Sequence, residues 1–411
     1  MGTFYNKAPV QAFKENGYPN LYLDFAGNKS LRDSITKRTD LVTFTRTSTG
    51  TYVGSDGLIK SAAIGAPRFD HDPVTGESKG LLVESLRTNI RTYSTGSGIF
   101  KLVGSFTVEN SNDIIAPDGS NTTRKVTSPG GGQHSIDCAF GQVPLVSGST
   151  YTVSCYYYAT GETETSRRIA LRYPFSYYSG PIILPRNQWV RKTLTFIHGA
   201  TPQQQVRLID NDTSGFNTTN GAVMYLWGAQ IEEGSFATSY IPTEASAVTR
   251  TADVISIQDT NFSSWYNPTE GTLYAEAETV GNLTQQTIAG IRTSEASSAN
   301  RSYELSFRGN GNGGVLYQVT PTVITENLSM TTPGSGKIAA ALSPGSSRAA
   351  YDGTLGTLYT DLTIPSSPLS FMSIGSFISG GNNLNGRIKR LAYWPTALPS
   401  GSLQTITEEG L

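Results

Sequence analysis

The stretch TYTVSCYYYA at residues 150–159 restricts the chain most. Successive side chains of a strand point to opposite faces. Tyr151, Val153, Cys155 and Tyr157 therefore share one face, and Thr152, Ser154, Tyr156 and Tyr158 the other. The first set suits a core, and the second is unusually aromatic. No segment of residues 93–250 sustains apolar residues at i, i+3 and i+4 over three turns, which argues against helix there. Strand-type runs recur instead at TTRKVTS, RRIALRYPF, WVRKTLTFI, QQVRLID and AVMYLWGAQIEEG, separated by turn clusters. Composition agrees, because charged residues are 15% and glycine numbers 43 in 411 residues. The expected class is all-β, and the length suggests two or three domains.

Charge and composition exclude several functions. The net charge is −1, so the basic footprint of a nucleic-acid binder is missing and no nucleic acid is expected as a partner. Neither a signal-peptide pattern nor a run of about 18 apolar residues occurs, so neither export by a signal peptide nor membrane insertion is expected. Cys138 and Cys155 lack zinc-ligand spacing. They read as two buried thiols, with a cross-strand disulfide as the alternative.

Residues 1–92 alternate short strands with turns. In LVTFTRTSTGTYVGSDGLIKSA, Val42 and Phe44 face one way, Thr43 and Thr45 the other, and GSDG reverses the chain. In RFDHDPVTGESKGLLVE, Pro73 and Gly76 mark a second reversal, and Leu81, Leu82 and Val83 form the return strand. Such hairpins are too small for a core of their own and should lie against a neighbouring subunit or another protein. Residues 93–253 read as a sandwich, closed by the linker SYIPTEASAVTRTADVISI. Residues 254–411 read as a second antiparallel sandwich. There KIAAALSPGSSRAAYDG is two strands around a Pro-Gly turn, and PSGSLQTITEEGL is a short final helix with Leu403 and Ile406 on one face.

Taken together, these segments resemble a known set of modules. LVTFTRTSTGTYVGSDGLIKSA with PRFDHDPVTGESKGLLVESLRTNI resembles a module of bacteriophage tail and other virion surface proteins. YLWGAQIEEGSFATSYIPTEASAVTRTADV is similar to the closing strand and exit of a carbohydrate-binding-like jelly-roll sandwich. EGTLYAEAET, KIAAALSP, AAYDG and GRIKRLAYWPTALPSGSLQTIT look like strands of a concanavalin-A-like lectin domain. The resemblance implies a structural protein on the virion surface, made in the host cytoplasm, in tail or capsid. It implies an N-terminal β-hairpin attachment module docked on other virion proteins, and two antiparallel β-sandwiches displayed toward host surface polysaccharide. A homotrimer is the implied oligomer. A tail fibre or receptor-binding adhesin is the first reading, a capsid fibre or decoration protein the alternative, and a polysaccharide-degrading enzyme a third. The first thirty residues match none of these modules.

Candidate sites follow from residue chemistry. Asp70, His71 and Asp72 stand side by side in a chain with three histidines, but they flank a turn, where Asp72 and Glu77 would bond to turn amides. Alternation puts Asp70 and Asp72 on one side and His71 on the other. General acid–base work needs such groups to converge on a reacting atom, so no catalytic role is assigned. Glu276 and Glu278 share one face of a strand about 7 Å apart. That falls in the span of about 6.5 to 9.5 Å used by inverting glycosidases. Glucanases of the concanavalin-A-like fold carry three alternating acids on one strand, and here Tyr274, Glu276, Glu278 and Val280 supply two. A solvated outer face is the preferred reading, and the chain is expected to be non-enzymatic. Asp210, Asn211, Asp212 and Asn217 offer oxygen ligands for calcium but lack a full periodic ligand set, so a polar hairpin loop is preferred and no metal or cofactor is assigned. Exposed rings beside amides and charges suit sugars, whose flat C–H faces stack on aromatics. Tyr156, Tyr158, Tyr173, Tyr177, Tyr178, Trp265 and Tyr266 are the carbohydrate-binding candidates, with packing at a domain or subunit contact as the alternative. Trp227 and Trp394 lie in apolar strands and read as core.

Overall fold

A computed structural model describes residues 13, 17–94, 100–103, 105–130, 135–139, 145–164, 167–173, 177–180, 182–199, 205–210, 220–281, 285–293, 301–308, 312–319, 322–329, 334–362, 369–376 and 382–411. The described chain is all-β in class, with antiparallel sheets and three short helices, as the strand pattern predicts.

One sandwich occupies the middle of the chain. Its first sheet runs Trp189–Ile197, Thr150–Ala159, Val223–Glu233, Thr123–Thr127 and Thr107–Ser111. The second runs Tyr177–Tyr178, Arg172–Tyr173, Gln205–Asp210, Ser135–Ala139 and Phe100–Val103. Tyr151, Val153, Cys155 and Tyr157 point into the core between them, together with Leu194, Phe196, Leu226 and Ile231. This is the face that alternation assigns to the interior. Cys155 is a buried thiol, its Sγ 3.4 Å from the Trp227 carbonyl oxygen, and the Cys138 side chain lies outside the described residues.

The larger sandwich joins both ends of the chain. Its eight-stranded sheet runs Thr354–Leu355, Arg348–Tyr351, Ser335–Leu342, Gly271–Thr279, Gly386–Trp394, Ser78–Val83 and Phe69–His71, with Leu21–Asp24 also on Gly386–Trp394. Opposite lies a seven-stranded sheet of Thr43–Thr45, Val254–Gln258, Phe371–Ile374, Gln285–Arg292, Arg301–Arg308, Asn312–Val319 and Thr322–Ser329. Leu21, Leu23, Val42, Leu81 and Val83 share its core with Ile255, Leu273, Ile288, Met372 and Leu391. Helix Ser400–Glu409 buries Leu403 and Ile406 against the outer side of the eight-stranded sheet. There Ala339, Ala341, Ala350 and Ala392 keep the surface low enough for close approach.

The hairpins of residues 1–92 therefore find their partner inside the chain, and the expectation of an external one is corrected. Gly386–Trp394 has one free edge that two N-terminal strands cover end to end. Residues 21–24 pair with residues 390–393, and residues 81–83 pair with residues 386–388. Gly80 makes this pairing possible: its φ is +90°, and a Cβ there would sit 2.2 Å from the Ile388 carbonyl oxygen. The connecting segment is packed too, since Val248–Arg250 pairs with Arg87–Asn89 and Tyr240, Ile241 and Asp253 are buried. Small residues made it look like a linker, but its backbone groups are used in pairing.

A chain starting at residue 93 would lack three strands of one sheet and Thr43–Thr45 of the other. The expected outcome is loss of the cooperative thermal transition, followed by circular dichroism, relative to the full chain. A truncated chain melting at the full-length temperature would contradict this topology.

Candidate functional site

The first sheet of the middle sandwich carries its aromatic face outward, and pairing register orders that face in rows. Trp189 is opposite Tyr158, and Tyr158 is opposite Tyr225. Tyr225 is in turn opposite Lys125, and Lys125 is opposite Glu109. One row across five strands thus reads Trp, Tyr, Tyr, Lys, Glu. Ring centroids are 5.4 Å apart for Tyr158 and Trp189 and 6.1 Å apart for Tyr158 and Tyr225. Tyr225 is buried and its hydroxyl donates to Asp113 at 3.1 Å, while Tyr158 and Trp189 stay half-buried. Trp189 Nε1 donates to the Ile115 carbonyl at 2.8 Å, which fixes the indole at the sheet edge. Lys125 pairs with Asp113 at 3.0 Å. The row combines two accessible rings with a polar end, the chemistry that a sugar's C–H face and hydroxyls match.

The neighbouring row belongs to the joint between the sandwiches. Arg191 is opposite Tyr156, and Tyr156 is opposite Trp227. Trp227 and Tyr240 pack with Ile59 and Ala116, and Tyr156 and one side of Trp189 lie against them. Trp227 is thus buried, as its apolar strand suggests, though in the joint and outside the main core. Thr152 and Ser154 on the same face are also fully buried. The outward face of this strand is consequently half interface and half open.

The other aromatic candidates divide by burial. Tyr173 is closed off, stacked on Phe196 at 4.1 Å with its hydroxyl 2.6 Å from His198 Nδ1. Trp265 is buried against Phe262 and Tyr393. Neither has a face left for a sugar, which corrects both assignments. Tyr177 packs on the middle core, and Tyr266 lies 4.6 Å from Phe262 on the larger one. The Tyr178 side chain lies outside the described residues, as do Asn211, Asp212, Asn217 and the side chain of Asp210. Among the described residues no group of three or more His, Cys, Asp or Glu could hold a metal ion. No helix among them is long and apolar enough to cross a membrane. Trp189 was not among the sequence candidates. WVRKT places Trp189 on the face of Arg191 and Thr193, and that alternation is the signal that would have found it.

The carboxylates are structural in their contacts. Glu276 receives Arg390 at 2.6 Å and Glu278 receives Arg387 at 3.1 Å, both across the pair of strands. A β-bulge separates Asp70 from His71, so the expected opposition of their side chains fails and both are buried. Asp70 accepts from the Val53 amide at 2.6 Å and from Arg387 at 2.6 Å. His71 Nδ1 lies 3.0 Å from the Val53 carbonyl oxygen. Asp72 caps the turn, accepting from the amides of Val74 and Thr75, and those bonds lower its pKa. Glu77 instead faces Lys79 at 3.3 Å. Gly76 has φ +69°, as its turn requires.

Behind the joint lies a buried ionic cluster. Asp253 takes Arg46 at 3.1 Å and Arg68 at 2.5 Å. Glu84 takes Arg68 at 2.7 Å and Arg250 at 3.1 Å, and also accepts from the Ser239 amide and hydroxyl. Desolvation by itself would raise the Glu84 pKa, but Arg250, Arg68 and the two Ser239 donors outweigh it and hold the carboxyl far below the usual range.

No protein-family model matches the sequence, and no curated protein matches it. Among solved structures, the chain is similar to Ruminococcus gnavus IT-sialidase CBM40 bound to α2,3-sialyllactose, at 14% identity over 36% of this chain and 91% of that one, with a TM-score of 0.32. It is similar to the receptor-binding domain of botulinum neurotoxin mosaic serotype C/D, at 14% identity over 38% and 40%, with a TM-score of 0.29. A third is Trypanosoma rangeli sialidase, at 15% identity over 38% and 25%, with a TM-score of 0.30. At these scores the likeness carries no argument about ligand or activity.

A carboxylate with a depressed folded-state pKa stabilises fully above its unfolded value of about 4.3 and loses that contribution as pH falls toward the folded value. Stability contributed by Glu84 should therefore be constant from pH 7 to about pH 5 and decline below pH 4. Removing one partner of a buried pair costs about 3 to 5 kcal/mol. Glu84→Gln should lower the melting temperature at pH 7 and flatten the acid limb. A mutant as stable as the parent at pH 7 would contradict this assignment.

Proposed function

We propose that the protein is a non-enzymatic, glycan-binding structural protein of a bacteriophage particle, of tail-fibre or receptor-binding type. The observation that carries the binding part is the cross-strand row of Trp189, Tyr158 and Tyr225 ending in Lys125 and Glu109. Adjacent strands lie about 4.8 Å apart, so the two accessible rings offer a short platform for one or two sugar units. A site this shallow binds weakly, and display of several copies on a particle multiplies it through avidity. A homotrimer on the virion surface, in contact with other virion proteins, is the assembly we propose.

The virion assignment rests on the resemblance of the quoted motifs in all three regions. The two-sheet sandwich built on Gly271–Thr279 and Gly386–Trp394 is the part we read as concanavalin-A-like. The non-enzymatic part is supported by the engagement of Glu276 and Glu278 with Arg390 and Arg387, which leaves neither carboxylate poised over a groove.

The test uses the full chain on a glycan array and in adsorption to host cells. Trp189→Ala should weaken binding about tenfold, equivalent to about 1.4 kcal/mol, without lowering the melting temperature by more than a few degrees. Array binding that is unchanged in Trp189→Ala, or absent from the parent, would overturn the platform.

A further inference from the structure

Where the two sandwiches and the connecting segment meet, a cleft of about 140 Å³ opens. The middle sandwich supplies Tyr156 and Arg191, the connecting segment Thr238 to Tyr240, and the larger sandwich Asp70, Glu84 and Arg387. It is smaller than the range of about 300 to 1,000 Å³ usual for drug-sized ligands, so its occupant is no larger than a single sugar-like unit.

The charges in the wall are paired with one exception. Asp70 holds Arg387 at 2.6 Å, and Glu84 holds Arg68 and Arg250. Arg191 has only neutral acceptors, the Thr238 carbonyl at 2.5 Å and the Ser154 hydroxyl at 2.8 Å. Among the described residues no carboxylate reaches it, and its Nε is buried without a hydrogen-bond acceptor. Its guanidinium lies 5.4 Å over the Tyr156 ring. The Tyr156 hydroxyl makes no hydrogen bond to a described residue and belongs to the cleft wall. A cation set in a partly desolvated wall is stabilised by an anion that restores its missing counter-charge. One unpaired cation matches one negative charge. A dianion would bring a second charge against Asp70 and Glu84.

We infer that this cleft is a second ligand site, taking the carboxylate of a uronic-acid residue on Arg191 with its ring against Tyr156. The Tyr156 hydroxyl, which bonds to no described residue, is left for one of the sugar's own hydroxyls. The site is separate from the Trp189 platform and stands whether or not that platform binds glycan.

Titration calorimetry of the full chain with D-glucuronate, D-glucose and inorganic sulfate tests it. Glucuronate should bind, glucose and sulfate at least tenfold more weakly. Arg191→Gln should weaken glucuronate at least tenfold and Tyr156→Phe severalfold, while Trp189→Ala leaves it unchanged. Tyr156→Phe keeps the packing of the ring and so remains informative should Arg191→Gln fail to fold. Failure of the parent to bind glucuronate, equal binding of glucose or sulfate, or full affinity in Tyr156→Phe would overturn the assignment. Loss of array binding in Trp189→Ala alongside intact glucuronate binding separates this site from the platform.

Discussion

The buried pairing of Asp253 and Glu84 with Arg46, Arg68 and Arg250 is the interaction on which the arrangement depends. Removing charges from water costs several kcal/mol per ion, and only close ion-pair geometry with further hydrogen bonds from the surroundings repays it. Here the repayment needs residues from two stretches far apart in sequence at once. Arg46, Arg68 and Glu84 come from the N-terminal hairpins, and Ser239, Arg250 and Asp253 come from the segment leaving the middle sandwich. The Glu84 amide also donates to Asp253 at 2.9 Å, so backbone as well as side chains is fixed. A displaced hairpin would leave uncompensated charge buried, which makes its position specific.

That placement decides which aromatics can work. With the Gly50–Val53 and Ile59–Ala62 hairpin seated on the middle sandwich, Tyr156 and Trp227 become joint residues. Tyr158 and Trp189, one row further out, stay half-exposed, with Trp189 leaning on the joint cluster. The same docking creates the cleft beside Arg191. Two surfaces of different character thus arise from one face of one sheet: an aromatic row at the edge and a narrow polar cleft at the joint.

Much of this was legible in the sequence where local period decides structure. The alternation at residues 150–159, the reversals at GSDG and at Gly76, and the helix carrying Leu403 and Ile406 all depend on neighbours in sequence. Strand pairing between residues 21–83 and 386–394 does not. Short hairpins with apolar faces announce that they need a partner, but the partner lies some 300 residues away and leaves no local mark. For the same reason Tyr156 and Tyr158 read alike, though one sits in the joint and the other in the outer row. Tyr173 and Trp265 misled because an aromatic beside polar residues looks the same in sequence whether its ring faces solvent or core. Asp70 and His71 were separated by strict alternation, and a bulge cancelled it.

The central claim is the proposal that glycan is met on the outer edge of the middle sandwich and not at Trp265 or Trp394 of the larger one. The chain has four tryptophans, so fluorotryptophan labelling of the full protein gives one resonance each for Trp189, Trp227, Trp265 and Trp394. Titration with host surface polysaccharide should shift the Trp189 resonance and leave those of Trp265 and Trp394 in place. A shift of Trp265 or Trp394 with Trp189 unmoved would contradict the account.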